Sequence, residues 1–160
     1  MHEPGRPLAY FLTWTTYGTW LPGDARGSID DEHNRFGEPP LDPQPAREAA
    51  LRARLAEPPY RMSEPARKMV EDAIREHATF REWTILALSV RSNHVQLVIE
   101  APSHTPEQVM AQCKSWATRR LRSKGTLDQR TRVWTKMGST RSLWTRDAVL
   151  RTADYTSRFQ

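Results

Sequence analysis

Trp83-Thr84-Ile85-Leu86-Ala87-Leu88-Ser89-Val90 and Val95-Gln96-Leu97-Val98-Ile99 are two apolar runs of strand length, with Arg91-Ser92-Asn93 in the connection between them. Apolar, β-branched runs joined by a short polar link make a β-hairpin the simplest reading. Upstream, Ser63 can cap a helix with Pro65 in its first turn. Ala66, Met69, Val70, Ala73, Ile74 and His77 then recur at spacings of three and four, which predicts an amphipathic helix. Downstream, Thr105-Pro106-Glu107-Gln108 has the capping-box pattern, and Val109, Cys113, Trp116, Ala117 and Leu121 continue one helical face until Gly125. Further out, residues 8–16 are aromatic and β-branched and read as a first strand ended by Gly18. Most of the prolines follow, predicting an insertion over residues 17–62 with a short helix over residues 46–56. Towards the other end, residues 132–135 and 141–144 are strand candidates, and Thr145 can cap a last helix. Strand, helix, strand, strand, helix, strand, helix is the split βαβ order. The expectation is an α+β, ferredoxin-like antiparallel sheet with helices on one face, in a single domain over residues 1–160 that ends in a C-terminal helix.

The 160 residues suffice for one domain to bury a core without disulfides. No apolar run approaches membrane-spanning length, and the N-terminus lacks the apolar segment of a secretory signal. A cytoplasmic, nucleoid-associated protein is expected, and the single Cys113 fits a reducing compartment. Charge is uneven. Residues 111–160 hold 12 Lys+Arg against 3 Asp+Glu, while residues 1–110 hold 12 against 16. A basic C-terminal third is either the footprint of a polyanion, nucleic acid above all, or a solvated surface.

The strand period of two sends Val95, Leu97 and Ile99 to one face and His94, Gln96 and Val98 to the other. An imidazole nitrogen beside an amide oxygen could share a divalent ion, the competing reading being ordinary polar residues on an open sheet face. In the last helix Val149, Leu150 and Ala153 read as an apolar stripe with Tyr155 on the opposite side. Arg151 and Arg158 share the face of Tyr155. A guanidinium beside a tyrosine favours the deprotonated oxygen and can hold a phosphate. Lys114, Arg119, Arg120, Arg122 and Lys124 on the second helix could track a phosphate backbone, as could Arg141 in the last strand candidate. Trp14, Trp20, Trp134 and Trp144 could stack on unpaired bases.

Ser92-Asn93-His94-Val95-Gln96-Leu97-Val98-Ile99 resembles the Asn-His-Val-His signature of single-tyrosine transposases of the HUH superfamily, notably REP-associated tyrosine transposases and the IS200-like family. Residues 16–24, 114–121 and 138–144 look like further blocks in the family order, and Asp154-Tyr155 stands where such proteins carry their nucleophile. The resemblance spans nearly the whole chain. It implies a homodimer that recognises DNA hairpins and nicks the adjacent single strand. Tyr155 would attack a phosphodiester to leave a 5′-phosphotyrosine and a free 3′-hydroxyl. It also implies Mg²⁺ or Mn²⁺ on His94, Gln96 and a third ligand after the tyrosine, for which Gln160 is the candidate.

Two positions depart from the pattern. Gln96 stands where the family usually has a second histidine; its neutral oxygen suits Mg²⁺ or Mn²⁺, and related HUH nucleases carry a His and Gln pair. The alternative is a weakened or inactive domesticated copy that binds hairpin or single-stranded nucleic acid without cutting. Gln160 lies five residues past Tyr155, about 140° around an unbroken helix, so it requires the helix to end or bend. Glu32, His33 and His104 are the other candidates for a third ligand.

Overall fold

The computed structural model describes residues 5–19, Ala46 and residues 55–158. In chain order the elements are β1 (Ala9–Thr15), α1 (Glu64–Arg81), β2 (Thr84–Val90), β3 (His94–Glu100), α2 (Pro106–Ser123), β4 (Ser139–Leu143) and α3 (Arg146–Arg158). The four strands form one sheet in the order β2-β3-β1-β4, each neighbouring pair antiparallel. This is the ferredoxin-like, split βαβ arrangement.

Local chemistry starts each helix where the sequence marks it. The Ser63 side chain accepts from the Ala66 backbone N–H at 3.3 Å, Thr105 and Gln108 close a capping box at 3.1 and 2.9 Å, and Thr145 accepts from Ala148 at 3.1 Å. Each cap satisfies a helix-end donor and is worth about 1 kcal/mol.

Strand alternation then divides the apolar residues between two cores. Leu12, Trp14, Leu88, Val95, Leu97 and Ile99 pack under α1 and α2, meeting Val70, Ile74, Val109, Cys113, Ala117 and Leu121. Fully buried side chains such as Leu12, Leu97 and Ile99 contribute about 1.5–3 kcal/mol each. On the other face Ala9, Phe11, Ala87, Val98 and Leu143 pack with Ala148, Val149 and Ala153 of α3. So α1 and α2 share one face as expected, and α3 covers the opposite one. A bulge in β2 makes this possible at the edge: pairing jumps from Ile85 to Ala87, leaving Leu86 unpaired and partly exposed. The jump turns Ile85 towards α1 and α2, and Ala87 towards α3.

Several local expectations change. Residues 132–135 form no strand; Trp134 makes only an isolated bridge to Thr16. Leu150 is 60% exposed, because the α3 stripe runs through Ala148, Val149, Thr152, Ala153 and Thr156 instead. The expected helix over residues 46–56 does not reach its end, since residues 55–62 are non-helical; Ala46 is helical and the rest lies outside the described residues. Gly138 is required where it stands, because a Cβ would lie 2.6 Å from Met110 Sδ and 2.8 Å from the Thr13 carbonyl oxygen.

Candidate functional site

The α3 face of the sheet is apolar at one end and polar at the other. Ala87, Val98, Phe11 and Arg141 form one row across the strands, and Ser89, Gln96, Thr13 and Ser139 form the next; beyond it His94 stands opposite Thr15. Directly paired residues share a face, so His94 and Gln96 stand together on the side that α3 crosses. Both are partly exposed.

His94 is oriented by its neighbour. Its Nδ1 lies 2.9 Å from Asn93 Oδ1; an amide oxygen can only accept, so Nδ1 donates, and in the neutral ring Nε2 carries the lone pair. Asn93 is buried, and its carbonyl accepts from the Thr16 backbone N–H at 2.9 Å, tying the hairpin connection to the end of β1. Beside the Ser89, Thr13, Ser139 and Thr15 hydroxyl residues, the ligand types on this face are therefore an imidazole nitrogen and a neutral amide oxygen. Among the described residues no group of three or more His, Cys, Asp or Glu comes together. Such a donor set fits a hydrated Mg²⁺ or Mn²⁺ that takes its remaining ligands from water and phosphate; it does not fit a closed tetrahedral zinc site. Gln160, the expected third ligand, lies outside the described residues, as do Glu32 and His33. His104 is engaged elsewhere, packed edge-on against Trp83 and bonded by its indole N–H at 3.4 Å.

Tyr155 is 51% exposed on α3. It lies about 90° from the centre of the buried stripe at 100° per residue, on the flank of the helix and not opposite the stripe as its sequence spacing suggests. Thr156 beside it is fully buried, its hydroxyl donating to the Thr152 carbonyl at 2.9 Å, and so helps set the rotation of α3. Arg141 stands opposite Phe11 on the same face. Burial lowers its pKa, and the Arg151 charge lowers it further, so β4 and α3 bring two guanidinium groups into electrostatic reach. Arg151 also pairs with Asp147 at 3.3 Å and Arg158 with Asp154 at 3.1 Å. Exposed pairs of this kind are worth about 0–1 kcal/mol, so a phosphate can displace either carboxylate.

The basic residues of α2 lie elsewhere. Arg119, Arg120, Arg122 and Lys124 belong to the helix layer on the far side of the sheet from α3. Arg119 is exposed, Arg120 pairs with Glu76, and Arg122 donates to the Arg130 carbonyl. Lys124 is exposed at the helix end. Lys114 turns inward: its ammonium donates to the carbonyls of Thr135 at 3.1 Å and Lys136 at 3.4 Å, and burial pushes its pKa down to about 8. Of the candidate stacking tryptophans, Trp14 is buried and Trp134 is bonded through its N–H to Lys114 O and Thr118 Oγ1, while Trp144 is 57% exposed. Trp20 lies outside the described residues.

Two features escape sequence reasoning. Asn93 holds His94, which only its position before a strand could suggest. His77 and Trp116 fall on apolar stripes by periodicity, yet with Phe80 they form a partly exposed aromatic cluster.

The family model "Transposase IS200 like" matches residues 60–156. Among solved structures, a candidate transposase from Deinococcus radiodurans superposes with a TM-score of 0.50 at 16% identity, covering 97% of this chain and 94% of that one. A REP-associated tyrosine transposase bound to a REP hairpin gives 0.54 at 11% identity, covering 98% and 68%. No curated protein matches the sequence.

Proposed function

This chain belongs to the IS200-like transposase family, and from that premise we propose that it is a strand transferase that nicks and rejoins single-stranded DNA beside hairpins. The observation that carries the proposal is the gathering of His94, Gln96 and Arg141 on the sheet face that α3, with its half-exposed Tyr155, covers. Tyr155 Oη attacks the scissile phosphorus and loses its proton to solvent. The P–O3′ bond breaks, the leaving oxygen becomes a 3′-hydroxyl, and the 5′ side stays on the enzyme as a phosphotyrosine. Attack by another strand's 3′-hydroxyl reverses the step, so no external energy source is needed. Arg141 and Arg151 neutralise and orient the phosphate. His94 and Gln96 would hold Mg²⁺ or Mn²⁺, whose contribution is to polarise phosphoryl oxygens. Asn93 keeps the His94 ring in the tautomer such a role requires.

The structural neighbour bound to a REP hairpin supports hairpin DNA as the partner. The family resemblance supports a homodimer acting on DNA in the cytoplasm, with residues 1–160 as one domain. No helix among the described residues is long and apolar enough to cross a membrane. The test incubates the protein and Tyr155→Phe with labelled single-stranded oligonucleotides from the DNA flanking its gene, in Mg²⁺, Mn²⁺ or EDTA. A metal-dependent covalent adduct that Tyr155→Phe abolishes is the expected result. Binding without an adduct, with cleavage restored by Gln96→His, would show instead that Gln96 has left a hairpin-binding protein.

A further inference from the structure

On the side of the molecule away from Tyr155, α1 and α2 leave between them a groove of about 450 Å³. Its floor and walls include His77, Phe80 and Trp116, with Glu76, Arg119 and Arg120 at its rim. Two large aromatic residues are exposed there, Phe80 at 74% and Trp116 at 42%.

The rings are ordered. His77 is buried and held in place by a 2.7 Å bond between its Nε2 and Gln112 Oε1, and by the edge of Trp83 at 5.3 Å. The Phe80 and Trp116 rings lie within 28° and 25° of the His77 plane, at centroid distances of 6.2 and 5.4 Å. The Arg119 guanidinium sits 4.8 Å over Trp116, and that of Arg81 sits 5.6 Å over Phe80. Near-parallel π-faces anchored on a buried ring and bordered by guanidinium groups complement a flat base with a charged backbone. An apolar helix from a partner would bury the aromatics but leave Arg81 and Arg119 without an anion to answer them.

We propose that the α1/α2 groove is a second nucleic-acid subsite, in which an unpaired base of single-stranded DNA stacks on the Phe80 and Trp116 surface and displaces the Arg81 and Arg119 guanidinium groups from the ring faces onto the flanking phosphates. The subsite binds DNA independently of the tyrosine chemistry. It extends the proposed function by giving the strand a contact on the opposite side of the sheet from the cleavage face.

The test uses a short oligothymidylate carrying a central 2-aminopurine, in EDTA so that no cleavage intervenes. Wild type, Tyr155→Phe, Phe80→Ala, Trp116→Ala and Trp116→Phe are compared, with circular dichroism to verify folding. Wild type and Tyr155→Phe should quench the 2-aminopurine with the same affinity. Each alanine variant should bind about 10-fold more weakly, and Trp116→Phe should retain most of the affinity. Equal affinity in folded alanine variants overturns the proposal, as does a wild type that does not bind the oligomer. It is equally overturned if the alanine variants break a dimer in sedimentation while binding DNA normally, since the groove would then be an interface between copies. Intact groove binding with no covalent adduct in Mg²⁺ or Mn²⁺ would leave this subsite standing and sink the nuclease reading alone.

Discussion

Lys114→Met separates two roles open to a lysine on a basic helix: contact with phosphate, or fastening its own fold. In the structure the ammonium donates to the carbonyls of Thr135 and Lys136, and burial lowers its pKa from 10.5 to about 8. At 1.36 kcal/mol per pH decade this fall corresponds to at most roughly 3 kcal/mol, which the side chain's remaining exposure reduces to roughly 1–2 kcal/mol. Below pH 8 the amine is charged in both the folded and unfolded states, and the full penalty applies. Between pH 8 and 10.5 the unfolded chain binds more protons than the folded one, so stability rises with pH. Methionine removes that dependence while keeping the packing volume. In paired urea titrations, wild-type stability minus that of Lys114→Met should increase by roughly 1–2 kcal/mol from pH 7 to pH 10; other titrating groups cancel in the difference. A flat difference refutes the inward lysine. A second readout checks the same geometry: the salt dependence of single-stranded DNA binding should be unchanged in Lys114→Met but fall by about 0.7 in log–log slope in Arg119→Ala. A reduced slope for Lys114→Met would put that ammonium on a phosphate instead.

Glu57 accepts from the backbone N–H groups of Thr131 at 2.9 Å and Arg132 at 2.6 Å, and these bonds hold its pKa below 4.5. Its stabilisation is present above pH 4.5 and is lost as the pH falls below it, so the melting temperatures of wild type and Glu57→Gln should differ at pH 7 and converge in acid. A gap that persists at low pH rules out the carboxylate as the cause. Asn93→Ala removes the bond that orients His94. It should raise the Mn²⁺ concentration needed for half-maximal adduct formation about 10–100-fold while saturating Mn²⁺ restores most of the rate. An unchanged metal requirement would reduce Asn93 to a purely structural residue.

Local signals in the chain carried the elements and their order. The Ser63, Thr105 and Thr145 caps, the three-and-four spacing of α1 and α2, and the polar Arg91-Ser92-Asn93 link each act within a few residues, so helix starts and the β2–β3 hairpin are written in the sequence. The same period of two that buries Val95, Leu97 and Ile99 also places His94 and Gln96 on the opposite face, independently of what packs there. The weaker features depended on tertiary contacts. Residues 132–135 have strand composition, but β4 occupies that side of β1 from Ala9 to Thr13, so they meet the chain only past the end of β1, where the Thr16 bridge forms. Leu150 fits a helical stripe as well as Ala148 does, and only the docking of α3 on Phe11, Ala87 and Val98 decides between them. Net charge could not say that the guanidinium groups of α2 lie on one side of the sheet and Arg141 and Arg151 on the other, nor that Lys114 points inward. Charge is a property of the residue, whereas the partner it meets is decided by how the layers stack: two helices on one face, and on the other the single helix that carries Tyr155.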